Sequence, residues 1–254
     1  MSNVSDFLKQ LDTLNVQTSV DVYVPSLKRV LKFKPLNLKQ QKNLLKSSVE
    51  DILTKLSFTT NFYSIILENI LETININDLY VFDRIAIAIA LRNNAVDSNY
   101  IQNGNVYNLQ TLINNYPSLN IDQSLLNGRV EIQNLVVELE APRLGIDRDI
   151  SSAVLNKMKN SGSTTNDVKT LIGELFINEV IKFIKSVTFK TEAGDNALIF
   201  NDIKLDERLT IVEKLSTTVT NQILDFIKKY RDFENQYSKI DNSFVEIDGS
   251  FFTI

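Results

Sequence analysis

The sequence predicts a mainly helical α+β protein: an N-terminal β-hairpin plus helices, a small β-rich insertion, and C-terminal helices closed by a β-hairpin. Three observations carry that expectation. Apolar residues recur at steps of three and four over several long segments that hold almost no Gly or Pro. Two short segments near the N-terminus alternate apolar and polar residues on either side of Pro25. From Asp97 to Pro142 the pattern is interrupted by a stretch rich in Asn, free of Lys and marked by Asn-Gly pairs. The expected division is 1–96, 97–165 and 166–254, with the first and last regions forming one composite domain.

Phe7, Leu8, Leu11 and Leu14 place a short amphipathic helix over Asp6 to Leu14, and such a helix needs something to pack against. Val20, Val22 and Val24 then share one face of a strand. Leu31 and Phe33 alternate with Val30, Lys32 and Lys34 in a second strand, and Pro25 to Lys28 turn between them. Pro35 ends that strand. Asn37 and Gln40 stand at the spacing of a capping box and open a helix expected from Leu38 to Leu56. A second helix is expected from Asn61 to Thr73, and a third from Asn77 or Asp78 to Asn93. In the third, Ile at every second position from Ile85 to Ile89 mimics a strand, so a buried strand stands as the alternative to a buried helix.

Asn103-Gly104 predicts a tight turn joining Tyr100-Ile101 to Val106-Tyr107, with a single helical turn or irregular chain from Leu109 to Asn114. Asn127-Gly128 reads as a second turn, leading into one strand from Val130 to Leu139. An irregular stretch follows Pro142 as far as a capping linker at Ser161 to Thr165. Helices are expected at Asn166 to Ser186, Asp206 to Leu215 and Thr217 to Tyr237, with a loop around Gly194, Asp195 and Asn196. Asp248-Gly249, flanked by apolar runs, predicts a terminal type I′ hairpin that either packs on the helices or inserts as strands into a partner.

Composition narrows the function. With 254 residues, 43% of them hydrophobic, the chain can bury a sizeable core. It has no His, no Cys and no Trp, which removes the usual neutral-pH base, the thiolate nucleophile and the usual ligands for zinc, copper or iron-sulfur clusters. Its seven glycines stand singly, so neither a dinucleotide-binding fingerprint nor a phosphate-cradling loop is present. No catalytic residue, cofactor, metal or small-molecule substrate is therefore expected. Without cysteine no disulfide forms, and a reducing cytoplasm is the simpler setting. No basic-then-apolar leader opens the chain. The apolar run from Ile85 to Leu91 is far shorter than the ~20 residues a membrane span needs.

One enzymatic alternative survives, a carboxylate-dependent glycan hydrolase in which one acid is held protonated and another ionised. Glu138 and Glu140, followed by Asp147 and Asp149, are the only dense acidic group in an apolar context. Glu138 and Glu140 share a strand face, which is more naturally a rim charge or a docking patch.

The net charge of −4 divides unevenly, with +4 over residues 1–55, −6 over 56–156 and −2 over 157–254. The basic excess is concentrated between Lys28 and Lys46, where no acid occurs. A solvated helix face is the ordinary origin of such a run. The functional alternative is a docking surface for an acidic neighbour, formed by Lys28, Arg29, Lys32, Lys34, Lys39 and Lys42. Phe251 and Phe252 are the apolar counterpart, buried against helices or a partner. Nucleic acid is not expected, because the whole chain is acidic and no binding motif accompanies the run.

The run Tyr23-Val24-Pro25-Ser26-Leu27, Lys32-Phe33-Lys34-Pro35-Leu36 and Lys39-Gln40-Gln41-Lys42-Asn43-Leu44-Leu45 resembles the baseplate hub and hub-assembly proteins of T4-like contractile-tailed bacteriophages. Asp83-Arg84, Leu91-Arg92 and Ser250-Phe251-Phe252 are also similar to that family. The resemblance implies a virion component or a transient hub-assembly chaperone, without catalytic residues. It further implies assembly in the host cytoplasm, location at the tail baseplate, and other phage baseplate or hub proteins as partners.

Overall fold

The computed structural model describes residues 3–47, 52–160, 165–241 and 243–253. The architecture is mainly helical α+β, as the periodicity predicts. The chain forms two compact units, one from residues 1–120 and 237–254 and the other from 121–236. The expected insertion at 97–165 is thus divided between them. Its first hairpin belongs with the N-terminal helices, and its later strands belong to a sheet completed by residues 184–199.

In the first unit, α1 (Val4–Gln17) precedes an antiparallel hairpin of β1 (Val20–Val24) and β2 (Arg29–Phe33), in which Val22 pairs with Leu31. Val22, Val24, Leu31 and Phe33 are buried, as the alternation predicts. The expected helix at 38–56 is instead α2 (Leu38–Leu45), and Ile52 already belongs to α3 (Ile52–Asn69). Val49, which lies within that expected helix, is outside the described residues. α3 also ends before Thr73. Its exit runs along β2, with the Lys34 amide donating to the Asn69 carbonyl at 2.7 Å and the Leu71 amide to the Lys32 carbonyl at 2.9 Å. Those bonds satisfy the β2 edge better than another helical turn would.

The ambiguous Ile-Ala segment is helical: α4 (Val81–Ala95) buries Ile85, Ile87, Ile89 and Leu91 and packs along β1. Apolar side chains all round a helix mean burial on all sides. β3 (Asn99–Gln102) and β4 (Asn105–Asn108) form the predicted hairpin, with Asn103 and Gly104 both at positive φ, and α5 (Leu109–Asn115) follows.

The second unit holds a four-stranded antiparallel sheet in the order β5 (Asn127–Ile132), β6 (Leu135–Glu140), β7 (Ile184–Thr191) and β8 (Gly194–Ile199). Asn127-Gly128 is therefore strand rather than turn. A Cβ on Gly128 would stand 2.8 Å from the Phe226 ring, so glycine admits that ring against the strand. The single strand expected at 130–139 folds back at Gln133, which has positive φ. The stretch after Pro142 is not irregular but helical, α6 (Leu144–Asn160).

The predicted linker at 161–165 lies largely outside the described residues. α7 (Thr165–Ile181) stops short of Ser186, and Ile184 and Val187, which continue its apolar steps of three and four in sequence, enter β7 instead. The expected loop at Gly194 to Asn196 is the start of β8. α8 (Leu205–Glu213) and α9 (Thr217–Glu234) follow as predicted, with Val219, Ile223, Ile227, Tyr230 and Phe233 buried along one stripe of α9.

The chain then returns to the first unit. Tyr237 stacks on Phe82 at 5.1 Å, and its carbonyl accepts from the Tyr116 hydroxyl at 2.8 Å. The terminal hairpin is not built on Asp248-Gly249. A minimal pair of β9 (Lys239–Ile240) and β10 (Ser243–Phe244) comes first, and Ser250 to Phe252 form a 3-10 turn whose N–H groups are capped by Asp248. The Asp248 carboxylate takes three donors there, which a two-residue β-turn would leave unused.

Candidate docking surface

The first unit carries the basic residues singled out above, on a hairpin and helix locked by buried polar groups. Asp83 is fully buried at the first turn of α4. Its carboxylate accepts from the Tyr80 amide at 2.8 Å and from the Ser26 amide at 2.9 Å, which ties the hairpin turn to the helix N-terminus. Lys28 closes that turn in the left-handed region, with φ 50°.

At the other end of β2, the predicted capping box is present. The Gln40 amide donates to Asn37 Oδ1 at 2.9 Å, and the Asn37 amide to Gln40 Oε1 at 3.2 Å. Gln40 is itself buried and paired with the buried Asn69 amide, donating from Nε2 to Oδ1 at 2.8 Å, while Asn69 Nδ2 donates to the Lys34 carbonyl at 3.2 Å. In the Lys39-Gln40-Gln41-Lys42 run the two glutamines are therefore interior and the two lysines exposed. A buried amide with its donors and acceptors met rigidifies the joint between β2, α2 and α3.

The cations do not gather into one patch. Lys28 and Arg29 sit at the turn, whereas Lys34 lies ~17 Å of extended chain beyond Arg29, at about 3.3 Å per residue. Lys39 and Lys42 are on α2. Acids absent from the local sequence arrive from elsewhere. Arg29 pairs with Glu72 at 3.0 Å, the other Glu72 oxygen accepts from the Lys32 amide, and Asp21 stands opposite Lys32 in the hairpin register. Glu72 was not legible as part of this surface, because only the chain reversal after α3 brings it there. Among the described residues, Lys28, Lys32, Lys34, Lys39 and Lys42 have no ion-pair partner.

Phe251 and Phe252 do not form a docking surface. They are 0% and 1% exposed, with the Phe252 ring 5.7 Å from Phe62 and the Phe251 ring edge-on to Tyr100 at 4.9 Å. The aromatic side chains of the first unit take them in, so the terminal segment packs on its own helices. Arg92 holds it there: its guanidinium lies 5.0 Å over the Tyr100 ring and 5.3 Å over the Phe251 ring. Burial lowers the Arg92 pKa, against the attraction of Asp97.

In the second unit, each member of the acidic group meets a cation. Glu138 pairs with Arg129 at 2.9 Å, Glu140 with Arg143 at 2.7 Å, Asp147 with Lys182 at 2.7 Å and Asp149 with Arg148 at 2.8 Å. No group of three potential metal ligands occurs among the described residues. A cleft of about 500 Å³ in the first unit has Lys55 and Arg84 on its lining, together with Phe58, Glu246 and Asp248, so it presents both signs of charge. No described helix is long and apolar enough to cross a membrane.

Comparison with known protein families, with curated proteins and with solved structures finds no match.

Proposed function

We propose that the chain is a non-catalytic structural or assembly protein of a contractile-tail phage baseplate hub, binding neighbouring baseplate proteins. The observation that carries this reading is the joint between the hairpin and α2, where the segment resembling that family buries Gln40 and Gln41 and leaves Lys39 and Lys42 outward. A rigid frame bearing cations that have no ion-pair partner among the described residues suits recognition of an acidic protein surface. The pairing of Glu138, Glu140, Asp147 and Asp149 with cations supports a role without catalysis.

Quantitative mass spectrometry of purified phage particles tests the reading. A baseplate component is expected at fixed stoichiometry, whereas an assembly chaperone is retained by hub proteins in infected-cell extracts but missing from particles. Reversing Lys28, Lys32, Lys39 and Lys42 to Glu is expected to abolish hub-protein pull-down. Unchanged pull-down and particle incorporation would refute docking through these charges.

A further inference from the structure

Among the described residues, α1 lacks the packing partner that its apolar stripe calls for. Its apolar stripe is in water, with Val4 73%, Phe7 57%, Leu8 54%, Leu11 41% and Leu14 52% exposed. Every described side chain from Asn3 to Thr18 is exposed. A solitary helix of 14 residues is marginal in water, and this one gains only an Asn3 cap and Asp6 in its first turn.

The stripe has the spacing of a helix-pairing seam. Val4 and Leu11 occupy the a positions of two heptads and Phe7 and Leu14 the d positions, with Leu8 widening the seam at e. The remaining e and g positions hold Gln10, Asn15 and Gln17, none of them charged. Asp6, Lys9 and Asp12 all fall at b, c and f, away from the seam.

We propose that α1 is a self-association helix, closing on the α1 of a second copy of this chain in antiparallel orientation. The charge pattern selects that occupant. A seam without charged flanks meets no like-charge repulsion when copied onto itself, and it holds nothing that would choose a differently charged protein. A lipid surface is a poor occupant, because the helix carries one Lys against two Asp where interfacial helices are rich in basic residues. Antiparallel pairing brings Val4 against Leu14 and Phe7 against Leu11, so each layer joins a larger side chain to a smaller one, and it opposes the two helix dipoles. A helix only ~21 Å long covers far less than the ~800 Å² per partner of a standard interface, so the association is weak and concentration-dependent.

Sedimentation equilibrium of the purified full chain from about 1 μM to 1 mM tests this directly, the range in which so small an interface assembles. The expected result is a mass rising from 28.9 kDa toward twice that value. Phe7→Asp and Leu11→Asp should each weaken the association at least about tenfold, as burying an unpaired charge in an apolar seam requires. Leu38→Asp, at an exposed site on α2, should leave it unchanged. Unaltered urea midpoints would show that the variants still fold. A mass of one chain throughout, or association indifferent to Phe7→Asp and Leu11→Asp, overturns the proposal. The result is independent of the baseplate reading, which particle composition decides.

Discussion

Arg92 donates from Nε to the carbonyl oxygen of Phe251 at 2.6 Å, joining α4 to a segment 159 positions later in the chain. A second donor, on Nη1, reaches the Asp97 carbonyl at 2.8 Å. One buried guanidinium thus fixes both the exit of α4 and the terminal turn.

Arg92→Ala is expected to cost about 3 kcal/mol or more, because two carbonyls lose a charged donor and two rings lose their cation. Arg92→Lys should recover part of that loss, since an ammonium cannot reproduce the fork of donors. Urea unfolding followed by circular dichroism measures both, as the chain has no Trp to report by fluorescence.

Two glycines should respond in opposite directions. A Cβ on Gly249 would lie 2.5 Å from the backbone of both Leu44 and Ser47, so Gly249→Ala should undock the terminal turn and lower the melting temperature. Gly173 lies inside α7 with nothing within 4 Å of the added carbon, and Gly173→Ala should stabilise by about 0.5–1 kcal/mol. Thermal melts of the two variants beside the parent decide this.

Lys182 bridges Asp147 at 2.7 Å and Glu179 at 2.8 Å, and Glu179 also meets Arg231 at 3.0 Å. Burial disfavours the Lys182 charge, but the two carboxylates outweigh it and raise its pKa. Burial likewise pushes Glu179 up, and Lys182 and Arg231 leave it below its ordinary value. Stability from Glu179 is therefore present above the ordinary carboxylate range and lost as pH falls through the lowered value. Stability from Lys182 is present below the ordinary lysine range and lost as pH rises through the raised value. Unfolding free energy should form a plateau from ~5 to ~10 and fall on both sides. Lys182→Met should cost about 3–5 kcal/mol at neutral pH and less in mild acid, where the stranded carboxylates take up protons.

Deleting residues 1–17 at low protein concentration should change the unfolding free energy of the remaining chain by less than about 0.5 kcal/mol, because every described α1 side chain is exposed. Chemical denaturation of the shortened and full chains makes the comparison.

These contrasts follow from what a local sequence can encode. The Asn37 and Gln40 cap and the Asn103-Gly104 turn were legible because both ends of each interaction lie within four residues. The break after Leu45 carries no Gly or Pro, and the apolar period runs through it unchanged. Asn127-Gly128 and Asp248-Gly249 have turn composition, yet each glycine answers a distant surface, Phe226 in one case and the end of α2 in the other. Ile184 and Val187 continue a helical stripe in sequence and pair as strand because β6 offers a ladder. Of the proposed docking residues, Lys28, Lys32, Lys39 and Lys42 are exposed and Lys34 is half-buried, whereas the choice between own helices and a partner for Phe251 and Phe252 turns on Tyr100, Phe62 and Arg92, all distant in sequence.

Because residues 237–254 complete a unit begun at the N-terminus, the ribosome finishes the entire 121–236 unit before the first one can close. Until Phe251 and Phe252 emerge, the aromatic pocket around Phe62 and Tyr100 waits open. Translation order thus makes every residue of the interrupting unit available before the first unit is complete, and a chain cut short before Ser250 lacks the two rings that fill that core.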